Sequence, residues 1–128
     1  MADIRHDPMT GRPRRFEHWT SAGDQAVVIA RNLAGDGDVL HTLTEVPYFW
    51  SDQYGVKLQS LGTPAPSDDI ELLTVGPRKR LLALYGAEGT LSGVVGFGVP
   101  RYVMRMRQLL SARTPFSAAV AAAADETD

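Results

Sequence analysis

The chain has 128 residues, 44% of them hydrophobic, and a formal net charge of −2 at pH 7, which predicts one globular domain or a domain with a short annex. This charge gives no electrostatic reason to expect nucleic acid or an anionic membrane as a partner. The absence of cysteine excludes disulfides, thiolate zinc sites and cysteine-held iron–sulfur clusters. With no apolar signal segment and no run long enough to cross a bilayer, we expect a cytoplasmic protein.

The first regular element that the sequence predicts is a helix that begins near residue 20. Thr20 or Ser21 is suited to cap its N-terminus, and Asp24 lies in the predicted first turn, where a negative charge favours the helix dipole. Apolar residues then recur at helical spacing until Gly35, which is a stop signal. The preceding residues are rich in Pro, Gly and Arg and are predicted to form a loop.

After residue 48 the pattern changes to short strands. Four alternating or apolar runs are predicted strands: residues 55–62, 70–76, 80–86 and 90–99. Short loops join them, so the strands must be largely antiparallel, since parallel neighbours require long crossovers. Pro100 then opens an amphipathic helix, and Thr114 with Pro115 opens an alanine-rich one. We expect an α+β fold with one helix, a mainly antiparallel β-sheet and two C-terminal helices.

Four other features favour structural interpretations over functional ones. The glycines of SGVVGFG run in the reverse order of a dinucleotide fingerprint and lie inside a predicted strand, which favours close packing under a helix. The adjacent Asp68 and Asp69 are expected to face solvent in a loop. The Arg78-Lys79-Arg80 run is expected at the tip of a hairpin, although such a patch could also meet an acidic partner. The three histidines lack metal-ligand spacing.

Two stretches combine large rings with polar groups: FEHWTSAGDQA at residues 16–26 and VPYFWSDQY at residues 46–54. Each has a structural interpretation, because Trp19 can pack at the start of a helix beside a solvated Glu17 and Trp50 can be a core residue. Together, EHW, the helix and FWSDQYG resemble the FAD-dependent ferredoxin reductases. These are the NAD(P)H-using partners of cytochrome P450 and dioxygenase systems, of the putidaredoxin reductase type. The resemblance continues through GVPRYVMRMRQLL and RTP.

This resemblance implies FAD and NAD(P)H as cofactors of the complete enzyme and a ferredoxin-type iron–sulfur protein as its partner. Asp3 is similar to the Asp that contacts the ribityl and pyrophosphate part of FAD, with Ala2 where the family usually has Gly. Glu17 resembles the acid that orients the nicotinamide carboxamide. Trp19 is similar to a backbone contact of the isoalloxazine, and Trp50 to the tryptophan lining the flavin and nicotinamide cleft. No residue is predicted to be catalytic, because the hydride chemistry belongs to the two cofactors.

The resemblance also divides the chain into residues 1–44, the C-terminal remnant of an FAD-binding domain, and residues 45–128, the reductase C-terminal or interface domain. The glycine fingerprints of the family's two nucleotide-binding domains are absent from the sequence, so we expect the chain alone neither to bind FAD tightly nor to oxidise NAD(P)H. The alternative is a stand-alone, non-catalytic interaction or dimerisation module with the same fold. Uncovered apolar surface near Ile29 and Leu33 is expected to favour a homo-oligomer.

Overall fold

The computed structural model describes residues 5–7, 11–35 and 40–125. The helices and strands of these ranges are β1 Arg5–His6, β2 Pro13–Arg14, α1 Trp19–Ala34, β3 Tyr48–Gln53, β4 Val56–Gly62, β5 Asp69–Val75, β6 Arg80–Ala87, β7 Thr90–Phe97, α2 Pro100–Ser111 and α3 Phe116–Ala124. β1 and β2 pair as a short antiparallel ribbon, and the other strands form one antiparallel sheet in the order β3-β4-β7-β6-β5. The predicted α+β architecture is therefore confirmed.

Two-residue turns join two of the hairpins in the sheet. Tyr54 and Gly55 connect β3 to β4 with φ angles of 49° and 75°, and Glu88 and Gly89 connect β6 to β7 with φ angles of 51° and 76°. Two successive positive φ angles match the right-handed twist of the paired strands, which is why such turns favour hairpins. The hairpin that the sequence predicted around residues 87–89 is confirmed.

The core lies between one face of the sheet and the helices α2 and α3. Its fully or nearly buried side chains are Val46, Leu61, Val75, Leu82, Leu84, Leu91, Val94, Val99, Val103, Met106, Leu110, Ala119 and Ala123. Gly96 of β7 lets α2 approach closely, because a Cβ at that position would lie 2.3 Å from Cγ2 of Val103. The interpretation of SGVVGFG as a packing motif is confirmed at this glycine.

The sheet contains a strand that the sequence did not predict. Four strands were expected, whereas residues 48–53 form β3 at the edge of the sheet as a fifth. Three consecutive aromatic residues followed by polar ones do not alternate as a half-buried strand does. In β4, the buried side chains are Gln59 and Leu61, so the polar Gln59 faces inward; its amide donates to the Tyr48 hydroxyl at 2.8 Å.

Polar side chains at the start of α1 have different partners from those predicted. His18, not Thr20 or Ser21, is the N-cap residue, and its side chain makes no capping hydrogen bond. The Thr20 hydroxyl instead donates to the backbone oxygen of Tyr48, and the Ser21 hydroxyl accepts from the Gln25 amide at 3.1 Å. The predicted caps are wrong because the helix already begins at Trp19, which places Thr20 and Ser21 inside its first turn. The predicted stop at residue 35 is confirmed.

The charged loop motifs also divide into one correct and one wrong prediction. Arg78 and Lys79 lie in the turn between β5 and β6, where the Lys79 amide donates to the Gly76 oxygen at 3.0 Å, as expected for a hairpin tip. Asp68 is not a solvated loop carboxylate. Its Oδ2 accepts hydrogen bonds from the Ser92 hydroxyl at 2.7 Å and from a backbone amide three residues earlier at 3.0 Å, so it fastens its loop to β7.

Candidate functional site

A groove of about 480 Å³ lies between the start of α1 and the edge strand β3. Its lining residues are Glu17, His18, Trp19, Thr20, Tyr48, Phe49 and Trp50. The hydrogen bond from the Thr20 hydroxyl to the Tyr48 backbone ties the two elements together. The structure therefore brings Glu17, Trp19 and Trp50 to one groove, whereas Asp3 lies outside the described residues.

The aromatic rings of this groove are exposed to solvent to an unusual degree. Trp19 is 93% exposed, Trp50 47% and Phe49 39%. The alternative in which Trp19 packs and Trp50 belongs to the core is thus wrong for this structure. Covering apolar surface gains roughly 25 cal/mol per Å², so rings left in water favour a partner that covers them.

The entrance of α1 adds polar groups to the groove. His18 packs edge-on against Phe49, with ring centroids 5.2 Å apart, and its buried Nδ1 has no hydrogen-bond partner among the described residues. The first-turn amides of α1 lack a capping side chain and form the positive end of the helix dipole. Glu17 is exposed, and its carboxylate lies 2.8 Å from the Arg15 guanidinium. The groove thus pairs apolar rings with a positively polarised helix end.

Lys57 is a neighbour of the groove that sequence reasoning missed. Its Nζ lies 4.5 Å from the centroid of the Trp50 ring and 3.1 Å from Oδ1 of Asp52, its partner across the β3–β4 hairpin. A cation above an exposed indole contributes about 0.5–1 kcal/mol, enough to bias the orientation of the ring. The two-residue turn between β3 and β4 fixes this register, so recognising β3 as a strand would have predicted the contact.

The described residues fit a flat aromatic group but not a whole dinucleotide. Four aromatic residues, Trp19, Tyr48, Phe49 and Trp50, and a helix N-terminus line the groove, which suits a conjugated ring with polar edges. A pyrophosphate needs a glycine turn between a strand and a helix, whereas the glycines of SGVVGFG lie in and just beyond β7. Within the described ranges, no three His, Asp or Glu side chains are grouped to hold a metal ion, and no helix has the length and apolarity needed to traverse a lipid bilayer.

Both the fold and the sequence of the chain match known proteins. The crystal structure of Fdr9 superposes with a TM-score of 0.73 at 32% sequence identity, covering 86% of this chain and 29% of that one. The covalent putidaredoxin reductase–putidaredoxin complex superposes with a TM-score of 0.72 at 25% identity, covering 94% and 31%. Residues 48–127 match the family model described as "Reductase C-terminal". The chain therefore belongs to the reductase C-terminal family.

The relatives that the chain matches in sequence are longer proteins. The chain is 30% identical over 101 residues to the ferredoxin–NAD(P)(+) reductase fdr of Sphingomonas sp, covering 79% of this chain and 24% of the relative. It is 32% identical over 112 residues to the rhodocoxin reductase of Rhodococcus erythropolis, covering 87% and 25%. The chain thus spans about a quarter of the length of these two relatives. It corresponds to the C-terminal portion of ferredoxin reductases of the putidaredoxin reductase type.

Proposed function

We propose that the chain is the part of an FAD-dependent NAD(P)H:ferredoxin reductase that lines the flavin and nicotinamide cleft. The observation that carries this proposal is the groove in which Glu17, Trp19 and Trp50 meet although they come from separate elements. The relatives' names support the reaction, because they are reductases that couple a ferredoxin to NAD(P)(+) or to NAD(+). When bound, FAD and NAD(P)H would supply the hydride and single-electron chemistry toward an iron–sulfur protein, and residues of this chain would hold and orient their rings.

Each groove residue has a distinct positioning role in this proposal. Trp50 presents a ring that can cover a flat flavin or nicotinamide face, and Lys57 above the indole helps to hold it. The first-turn amides at Trp19 can donate hydrogen bonds to a polarised carbonyl of the isoalloxazine. Glu17 is exposed and can accept from the carboxamide of a nicotinamide. Asp3 is proposed, from the resemblance alone, to contact the ribityl and pyrophosphate part of FAD.

The division of the chain follows the same logic. We assign residues 1–44 to the end of an FAD-binding domain and residues 45–128 to the interface domain, in keeping with the family match that begins at residue 48. Because the sequence holds neither glycine fingerprint, residues for the pyrophosphate and adenosine of FAD must come from elsewhere. We therefore expect the 128-residue chain to show no tight FAD binding and no NAD(P)H oxidation by itself.

A chimera tests the proposed function. Residues of this chain replace the matching part of the Rhodococcus erythropolis rhodocoxin reductase, so that nucleotide-binding domains and groove share one polypeptide. We expect the chimera to retain FAD and to reduce a ferredoxin with NAD(P)H, and Trp50→Ala to lower turnover about tenfold or more through lost ring positioning. Phe97→Ala is the matched control, because Phe97 has the same 47% exposure on another strand. Equal effects of both substitutions would contradict the assigned role of Trp50.

A second candidate function is a stand-alone interaction or dimerisation module with the same fold. It is favoured by apolar side chains that the described residues leave uncovered, among them Leu33 at 82% exposure and Leu72 at 63%. Flavin spectroscopy of the chimera separates the candidates. A chimera that folds but loses FAD while its parent reductase keeps it would favour the module, whereas retained FAD with a Trp50-dependent spectrum favours the reductase.

A further inference from the structure

We propose that Gln59, which is not among the residues that line the groove, is a positioning residue: it holds Tyr48 in the groove wall and thereby sets the orientation of Trp50. Gln59 is 3% exposed, and in the strand register it lies directly across from Trp50. The inference deepens the proposed function and rests on it, since Trp50 is the ring proposed to cover a flavin or nicotinamide face. It adds a buried residue of β4 to those on which the placement of that ring depends.

Tyr48 belongs both to the groove and to the packed interior of the domain. Its side chain lines the groove and also packs against the hydrophobic core. Its backbone oxygen accepts from the Thr20 hydroxyl of α1, its hydroxyl accepts from Nε2 of Gln59 at 2.8 Å, and its ring centroid lies 5.8 Å from the Arg107 guanidinium of α2. Tyr48 is therefore the residue through which α1, β4 and α2 all contact the wall of the groove.

Trp50 lies between two polar contacts that join β3 to β4. Side chains two residues apart on a strand point to the same side, so Tyr48, Trp50 and Asp52 share one face of β3. The ion pair of Asp52 with Lys57 lies on one side of the indole, and the hydrogen bond from Gln59 to Tyr48 lies on the other. β3 is an edge strand whose neighbour in the sheet is β4, so these two contacts restrict its twisting. Twisting of β3 would reorient the indole.

The polar side chain of Gln59 is unfavourable for the stability of the core. Its Oε1 is buried without a hydrogen-bond partner among the described residues. Its neighbours on the same face of the sheet are buried apolar side chains, Leu61 on β4 and, beyond Gly96 of β7, Leu82 on β6. Burying an amide of which only one half is bonded costs free energy that an apolar side chain would not lose. The hydrogen bond to Tyr48 therefore serves the geometry of the groove wall better than it serves the stability of the fold.

Fluorescence quenching of the 128-residue chain tests the positioning role without any flavin. The sequence has two tryptophans, so Trp19→Phe leaves Trp50 as the sole indole. In this background we expect Tyr48→Phe and Gln59→Met each to raise the acrylamide Stern–Volmer constant about 1.5-fold, because a ring on a loosened strand is more accessible. Tyr102→Phe is the matched control and should leave the constant unchanged, since Tyr102 is also a partly buried tyrosine that packs against the core.

Thermal unfolding separates a positioning role from a stabilising one. The combined variant Tyr48→Phe with Gln59→Met removes both partners of the hydrogen bond and leaves neither of them unpaired. We therefore expect its melting temperature to stay within about 5 °C of the wild-type value. A nearly unchanged melting temperature together with stronger quenching of Trp50 identifies a positioning role, because the loss of a purely stabilising contact would lower the melting temperature.

A double-mutant cycle in the chimera connects the contact to turnover. Gln59→Met should lower kcat about threefold while the FAD content stays unchanged, because the indole would be misplaced over its ring. In a Trp50→Ala background the same substitution should cause no further loss, since its effect passes through that ring. Tyr102→Phe is again the control and should leave kcat unchanged. Stopped-flow measurement of flavin reduction assigns the loss to the step at which the two cofactor rings meet.

Four results would overturn the inference: unchanged quenching in the Tyr48→Phe and Gln59→Met variants, an equal change with Tyr102→Phe, stronger quenching that comes with a large loss of melting temperature, or losses of turnover by Gln59→Met and Trp50→Ala that simply add. A chimera that loses FAD refutes the proposed function instead, and quenching in the isolated chain still decides whether Gln59 holds the indole. Failure of either proposal is therefore recognisable by itself.

Discussion

The N-terminal region, residues 11–35, and the sheet region, residues 48–125, follow opposite packing rules. The sheet region buries a continuous core in which Leu82, Leu84 and Leu110 are at most 1% exposed. In α1, by contrast, Ser21 is the one buried residue, and Ile29 is 56% exposed. A helix with an uncovered apolar face gains little from packing, and in soluble proteins such a face marks contact with further protein. The sheet region thus has a hydrophobic core of its own, whereas most of α1 is uncovered in this structure.

The largest expected effect comes from removing core volume. Leu82→Ala should lower the free energy of unfolding by about 3 kcal/mol, because a buried leucine is replaced by a cavity. Leu33→Ala, at a side chain that is 82% exposed, should change it by less than about 0.5 kcal/mol. Urea denaturation monitored by circular dichroism measures both. Comparable losses would show that α1 is packed in solution and would remove the contrast between the regions.

Glycines in the two regions should respond to alanine with opposite sign. Gly96→Ala should destabilise the protein by about 1–3 kcal/mol, because the new methyl group would meet Val103 and Val99 of the core. Gly23→Ala in α1 should stabilise it by about 0.5–1 kcal/mol, since nothing lies within 4 Å of the added Cβ and alanine favours helix. Thermal unfolding of both variants provides the measurement. A stabilising Gly96→Ala would contradict the close packing of α2 on β7.

The same contrast explains which parts of the fold could be predicted from sequence. Local rules apply in the sheet region: paired turn residues such as Glu88 and Gly89 predict a hairpin, and Pro100 predicts a helix start. These rules fail for β3, because its three consecutive aromatic residues lie in an edge strand that lines a groove and do not alternate between a buried and an exposed face. They also fail for Thr20, because its hydroxyl donates to a strand far along the chain rather than capping its own helix.

The candidate site could be predicted only in part, for a related reason. Spacing along the chain does not determine whether Trp19 and Trp50 share a surface. Only the family resemblance implied that they lie close together, and in the folded chain both line the same groove. Their roles toward FAD and NAD(P)H stay predictions. The contact of Lys57 with the Trp50 ring depends on strand register, which follows once β3 is recognised.

Self-association offers a sharper test of the uncovered helix. If α1 lacks its natural cover, the isolated chain should associate at high concentration, and Ile29→Glu combined with Leu33→Glu should weaken that association about tenfold, or ~1.4 kcal/mol. Val27→Glu combined with Ala34→Glu is the control, since it adds the same charge at exposed positions on the other side of the same helix. Sedimentation velocity over a concentration series gives the constants. A strictly monomeric wild-type chain would count against an exposed association face.

The smallest expected effect is the change in the free energy of unfolding when the charge of an arginine at a helix end is reversed, in one helix of each region. Arg101 lies in the first turn of α2 and Arg31 in the last turn of α1, so the first opposes its helix dipole and the second complements it. Arg101→Glu should therefore raise the free energy of unfolding by about 0.3–1 kcal/mol, and Arg31→Glu should lower it by a similar amount or by less if α1 frays. Denaturation at low ionic strength resolves such differences, and added salt should shrink both. A destabilising Arg101→Glu would instead indicate a structural role for this guanidinium that outweighs its unfavourable position at the helix N-terminus.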